Sequence, residues 1–179
     1  MAGRLDLASL IRTVPDFPRA GVQFRDITTL LKHAAGFRAV VERLAAAHRG
    51  SRIDKIAGIE SRGFIVGAAL AADMRVGFVP IRKGGKLPAE NFGRDYALEY
   101  GRDRLEMHRD AIVRGERVLV VDDLIATGGT AEAALELCAL AGAHVVGCAF
   151  VIDLPDLGGA DALRAAGVVA EALVAFSGH

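Results

Sequence analysis

The segment Val118-Leu119-Val120-Val121-Asp122-Asp123-Leu124-Ile125-Ala126-Thr127-Gly128-Gly129-Thr130 constrains this chain more than any other. Residues 117–121 are a nearly continuous β-branched run, the mark of a strand buried on both faces of a parallel sheet. The run ends in two adjacent acids and a Thr-Gly-Gly-Thr turn. Ala131, Ala134, Leu135 and Cys138 then recur at helical spacing, with an end near Gly142. Gly128 and Gly129 let backbone N–H groups approach an anion without a Cβ in the way. Thr127 and Thr130 add hydroxyl donors, and the following helix adds the partial positive charge of its N-terminus. This pattern predicts a phosphate cradle. It has neither the lysine of a Walker loop nor a GxGxxG, so a terminal monophosphate held by neutral donors suits it better than a nucleoside triphosphate. Taken alone, the Thr-Gly-Gly-Thr turn also suits an ordinary helix cap, and the acid pair a structural role at the sheet end. A receiver-type acidic pair is excluded, because it needs a lysine far downstream and none follows Lys86.

Strands and helices alternate along the rest of the chain. Phe37, Val41, Leu44 and His48 predict a helix over about 36–47. Apolar runs predict strands at 53–59, 76–81, 144–152 and within 167–176, with a helix at 63–72; Pro80 suggests an edge or an early end for the second of these strands. The expectation is an α/β fold, a parallel central sheet with helices on both faces, in one domain of 179 residues. Ligands gather at the carboxyl ends of strands in such sheets, which singles out the residues after Ile59, Ile81, Val121 and Ile152. Residues 83–109 break the alternation. They are polar, contain Gly84, Gly85, Gly93 and Gly101, and hold both tyrosines. Tyr96, Leu98 and Tyr100 share one face of this segment and Asp95, Ala97 and Glu99 the other, the pattern of a hairpin arm.

Composition removes other classes. Hydrophobic residues make up 52% and charged residues 25%, against disorder, and 22 basic groups balance 22 acidic ones, so nothing draws nucleic acid globally. No apolar run is long enough to span a membrane, and the acid at Asp6 argues against an export signal; a cytoplasmic protein is expected. Cys138 and Cys148 sit in apolar segments without ligand spacing, so they read as buried thiols, and no protein metal centre is expected. Arg82, Lys83 and Lys86 put three cations within five residues at a strand end. Alone, they would read as a solvated basic turn.

The acid pair and its glycine turn resemble the phosphoribosyl pyrophosphate signature of the type I phosphoribosyltransferases. Further segments, in the same order, are similar to the adenine-specific branch of that family: Pro15-Asp16-Phe17-Pro18, Gly21 with Phe24-Arg25-Asp26-Ile27, Glu60-Ser61-Arg62-Gly63-Phe64, Ile81-Arg82-Lys83 with Gly85-Lys86-Leu87-Pro88, and Leu98-Glu99-Tyr100-Gly101. The likeness covers about residues 11–157. It implies the type I phosphoribosyltransferase fold with an N-terminal hood (1–35) and a flexible catalytic hairpin loop (about 83–109). The implied reaction joins adenine to phosphoribosyl pyrophosphate, giving AMP and pyrophosphate.

The resemblance also implies roles. Asp122 and Asp123 meet the ribose hydroxyls and help order the water shell of Mg²⁺, which is held mainly by substrate oxygens and water. Ala126, Thr127, Gly128, Gly129 and Thr130 take the 5′-phosphate. Glu60, Ser61 and Arg62 form the pyrophosphate loop, with a cis peptide expected at Glu60–Ser61, and Arg82, Lys83 and Lys86 face the diphosphate. Glu99 is the candidate acid/base and Tyr100 its neighbour over the leaving group, although a lone Glu in a polar loop otherwise reads as surface. Phe24 and Leu154 sandwich the purine while backbone around Gln23 and Arg25 reads its edge; from the residues alone Phe24 belongs in the core. Guanine- and hypoxanthine-specific relatives usually bring a lysine from a late strand to the purine O6. No lysine follows Lys86, which favours an exocyclic amine. A homodimer is implied, with neither nucleic acid nor membrane as partner. Two other readings compete: transfer to another purine base, and a non-catalytic phosphoribosyl pyrophosphate-binding regulator, which would usually carry a basic DNA-binding segment absent from the neutral N-terminus. One departure stands out late in the chain. Where the family commonly continues with Gly-Arg, Gly158-Gly159-Ala160-Asp161 has no arginine, which bears on a structural contact near the last helix and not on the chemistry.

Overall fold

A computed structural model describes residues 5–97 and 101–178. A small antiparallel pair, β1 (Arg12–Pro15) and β2 (Gln23–Asp26), precedes two helices, α1 (Thr28–Leu31) and α2 (Ala34–Ala47). Then come β3 (Lys55–Ile59), α3 (Arg62–Met74), β4 (Gly77–Lys83), β5 (Asn91–Ala97), β6 (Arg102–His108), β7 (Arg117–Ile125), α4 (Gly129–Leu140), β8 (His144–Asp153), α5 (Gly159–Ala165) and β9 (Ala170–Ala175). The large sheet has the order β5-β6-β4-β3-β7-β8-β9.

The five strands β4, β3, β7, β8 and β9 pair in parallel, as expected. The sheet is nonetheless mixed, because the polar segment forms an antiparallel hairpin, β5–β6, that extends it. Pro80 fits this arrangement. β4 meets β6 only at Arg82 and Lys83, so the stretch around Pro80 has a sheet neighbour on one side alone and needs no second donor there.

β7 is the central strand, and its apolar residues split between two cores. Val118 and Val120 pack with α4 and α5 residues such as Leu137 and Leu163, whereas Leu119 and Val121 pack with Val40, Val66 and Leu70 on the α2–α3 side. A period-two chain with both faces covered accounts for the unbroken apolar run. Each such side chain contributes roughly 1.5–3 kcal/mol by leaving water. The strand runs on to Ile125, so both acids lie within it rather than beyond it.

Chain order places the site. From β3 the chain crosses to β4 on one side; from β7 it moves to β8 and β9 on the other. β3 and β7 are thus the pair at which the winding reverses, and a crevice opens at their carboxyl ends. Gly58 stands opposite Val121, so Glu60–Arg62 emerge beside Asp122 and Asp123.

Cys138 and Cys148 are fully buried in one core and free, as expected. Burial pushes both thiols up to about 12. A thiol-specific reagent at pH 8 should therefore leave both unmodified in the folded protein and count two after denaturation, since roughly one thiol in ten thousand would be ionised. Rapid labelling without unfolding would contradict this packing.

Candidate active site

β3 and α3 are joined through a cis peptide at Glu60–Ser61, the geometry expected there. α3 starts at Arg62, and its second residue, Gly63, lies directly against the end of β7. A Cβ there would stand 2.7 Å from Asp122 Oδ1 and 2.9 Å from the Val121 carbonyl oxygen. Only glycine lets the helix start come this close to the acids.

In the structure both acids engage the start of α3. Asp122 Oδ1 folds back to accept the Asp123 amide at 2.8 Å, which leaves Asp123 Oδ2 2.5 Å from Arg62 Nε. Burial, together with the charge of Asp123, pushes the Asp122 carboxyl well above its ordinary range. Burial also raises Asp123, against the opposing pull of Arg62. Adjacent acids at such a place hold a proton or attract donors, and a ribose diol supplies donors.

A cavity of about 490 Å³ opens beside this pair. Glu60, Ser61 and Arg62 line one wall, Lys83 and Lys86 another, and Asp122, Asp123 and Leu124 the floor. Arg82 joins through Glu60: the Glu60 carboxylate accepts from Lys86 Nζ at 2.5 Å, Arg82 Nε at 3.2 Å and the Lys83 amide at 3.0 Å. Burial works against ionised Glu60, but these donors outweigh it and hold its carboxyl below the ordinary range. Lys83 pairs with Asp103 at 2.8 Å, which raises its ammonium pKa. The cations are therefore paired within the site, Arg62 with Asp123, Arg82 and Lys86 with Glu60, and Lys83 with Asp103.

A second, smaller hollow adjoins, sharing Asp122 and Leu124 with the first and continuing over Ala126, Thr127, Gly128 and Thr130. Gly128 has φ 95°, a left-handed conformation suited to glycine, and caps α4, whose first residue is Gly129. Main-chain amides and two hydroxyls at a helix start give this hollow the donors that an anion would meet.

Phe24 comes to the site through Arg62, whose guanidinium lies 5.3 Å from its ring centre, and Phe17 meets it edge-on at 5.2 Å. Arg25 uses its side chain elsewhere, donating to Thr13 and to the Ser177 carbonyl oxygen and lying over Phe176. Gln23 pairs with Pro15 in the β1–β2 hairpin. Leu154 follows β8, is buried in the α2–α3 core, and donates its amide to the Ile125 carbonyl at 3.0 Å. Gln23, Arg25 and Leu154 line neither hollow. Glu99 and Tyr100 lie outside the described residues. Among the described residues no group of three or more His, Cys, Asp and Glu is placed to hold a metal ion.

Three residues that support the walls of these hollows escaped the reading of the sequence. Glu106, buried on β6 opposite Arg82, accepts from the Gly85 amide at 2.9 Å and Arg104 Nε at 3.0 Å, and so holds the basic turn. An acid between the core residues Leu105 and Met107 was a visible signal. Asp103 pairs with Lys83 as described. Gly159 backs the cradle: its amide donates to the Ala126 carbonyl at 3.0 Å, and a Cβ on it would stand 2.6 Å from the Gly128 nitrogen. Near the position where the family's arginine is absent, Arg164 donates to the Ala170 carbonyl at 3.0 Å and ties α5 to β9.

The phosphoribosyl transferase domain family matches residues 26–163. The chain belongs to the phosphoribosyltransferase family, and within it to the adenine phosphoribosyltransferases. The adenine phosphoribosyltransferase of Azorhizobium caulinodans is 58% identical over 174 residues, 97% of each chain. The crystal structure of adenine phosphoribosyltransferase from Rhodothermus marinus superposes with a TM-score of 0.89 at 50% identity, covering 95% of this chain and 96% of that one. The Trypanosoma brucei enzyme, solved in complex with AMP, pyrophosphate and ribose-5-phosphate, is 25% identical with a TM-score of 0.87, over 94% of this chain and 77% of that one.

Substituting Gly159→Ala should push the cradle backbone out of place. The expected result is a loss of roughly tenfold to a hundredfold in kcat/KM for phosphoribosyl pyrophosphate. Steady-state kinetics beside a thermal melt check it; wild-type kinetics would show that the cradle tolerates the added methyl.

Proposed function

We propose a division of labour among these residues for the family's reaction. The chain transfers the 5-phosphoribosyl group of phosphoribosyl pyrophosphate to adenine, giving AMP and pyrophosphate. The observation that carries this assignment is the buried strand β7 delivering Asp122 and Asp123 straight into a glycine cradle, with Arg62 against the acids.

Breaking the bond between the anomeric carbon and pyrophosphate leaves cationic character on the ribose and negative charge on the departing group. Rate is gained by charges already oriented for that separation. The cradle at 126–130 holds the 5′-phosphate, and Asp122 and Asp123 accept from the ribose hydroxyls. Arg62, Arg82, Lys83 and Lys86 face the pyrophosphate, with Glu60 and Glu106 keeping the basic turn in place. Phe24 and Leu154 flank the purine, whose edge is read by backbone near Gln23 and Arg25. Glu99 exchanges the proton of the purine ring, beside Tyr100, and the arm over residues 83–109 closes to exclude water that would capture the ribose.

Magnesium fits this donor set. Four protein cations already paired with three carboxylates leave most of a pyrophosphate's own charge to be offset, and two adjacent acids suit an ion held mainly by substrate oxygens and water. Bound there, it would neutralise charge developing on the leaving group. The enzyme acts as a cytoplasmic homodimer, with neither nucleic acid nor membrane as partner. In support, the balanced charge offers no attraction to polyanions, and among the described residues no helix is long and apolar enough to cross a membrane.

Incubation with Mg²⁺, phosphoribosyl pyrophosphate and each purine base should yield nucleotide with adenine; no nucleotide with any base would overturn the reading. Glu99→Gln should lower kcat by roughly a hundredfold or more, with adenine binding close to wild type. Turnover near the wild-type rate would remove Glu99 from proton transfer.

A further inference from the structure

Asp103 is an acid of the arm that the reaction as described does not use. It stands opposite Tyr96 in the β5–β6 register, while Lys83 stands opposite Leu105, two residues along β6. Directly paired residues share a face, and so do residues two apart on one strand. Lys83, Asp103 and Tyr96 therefore project from one face of the hairpin. A single oxygen, Asp103 Oδ2, receives both partners, Lys83 Nζ at 2.8 Å and the Tyr96 hydroxyl at 3.3 Å. Asp103 Oδ1 accepts the Arg104 amide at 2.8 Å, which sets the carboxylate's direction. Tyr96 packs against the core on the α4 side.

We infer that Asp103 is a positioning residue, holding the Lys83 ammonium at the wall of the pyrophosphate cavity. The inference rests on the proposed assignment of that cavity. Lys83 is half-exposed on a flexible stem, and a cation of that kind meets an anion in many geometries unless another group directs it. Asp103 supplies the direction. Tyr96, packed on the core, steadies the same carboxylate oxygen.

The test is the dissociation constant of Mg²⁺–phosphoribosyl pyrophosphate by titration calorimetry, beside AMP formation, for wild type, Asp103→Asn, Asp103→Glu, Tyr96→Phe, Lys83→Met and the Lys83→Met/Asp103→Asn pair. Asp103→Asn should weaken binding roughly three- to fivefold, the scale of a partly exposed ion pair, and leave kcat and adenine KM near wild type. Asp103→Glu should recover most of the loss, and Tyr96→Phe should show a smaller loss of the same kind. In the Lys83→Met background Asp103→Asn should add nothing. Unchanged binding in Asp103→Asn, or an equal loss with and without Lys83, would overturn the inference; should Asp103→Asn not fold, unchanged binding in Tyr96→Phe would do so. Wild-type protein that binds phosphoribosyl pyrophosphate but forms no AMP would instead overturn the assigned reaction and leave the Asp103 measurement standing.

Discussion

Asp123 is 4% exposed and lies 2.5 Å from the Arg62 guanidinium, just beyond the apolar run Val118–Val121 of the central strand. Removing one partner of such a pair leaves a buried charge alone, at a cost of about 3–5 kcal/mol. Asp122 is pressed against the start of α3 beside it. Taking two acids out of water is tolerable only where donors converge, and this chain brings them from the next loop: Arg62 and the helix start that follows the Glu60–Ser61 bond. In the proposed assignment, the same arrangement that makes the acids bearable makes them a receptor for a diol and fixes where the sugar of a nucleotide lies relative to its phosphate.

Close approach of backbone is the second requirement, and glycine meets it on both sides of the site. Gly63 lets α3 touch the end of β7, and Gly159 lets the start of α5 touch the cradle from behind. A rigid wall behind the Thr-Gly-Gly-Thr turn keeps its amides aimed, so little reorganisation remains when an anion arrives. The basic turn is held by the same logic with side chains instead. Glu60 grips it from β3 and Glu106 from β6, so its cations are oriented and balanced.

The fold was legible where burial writes a pattern. The β-branched run of β7 announced a strand covered on both faces, and the order of strands and helices announced a parallel sheet with its ligands at the carboxyl ends. The extension of that sheet by an antiparallel hairpin was less visible, because Asn91–Ala97 and Arg102–His108 alternate polar and apolar residues as any surface arm does. Within the site, residues that define a motif by adjacency were readable: Asp122 and Asp123, Thr127 to Thr130, Arg82 to Lys86. Residues that act across the sheet were not. Glu106 reaches Gly85, and Asp103 reaches Lys83, only through the β4–β6 pairing, a register that no local pattern states. Gly159 carries no side chain, and its role depends wholly on what packs against it.

The most direct test of this account is a crystal structure of the enzyme with bound AMP. The 5′-phosphate should accept hydrogen bonds from main-chain amides within residues 127–130, and the ribose diol should face Asp122 and Asp123. A phosphate seated on the Lys83–Lys86 turn, with the amides of residues 127–130 bonded to something else, would contradict it.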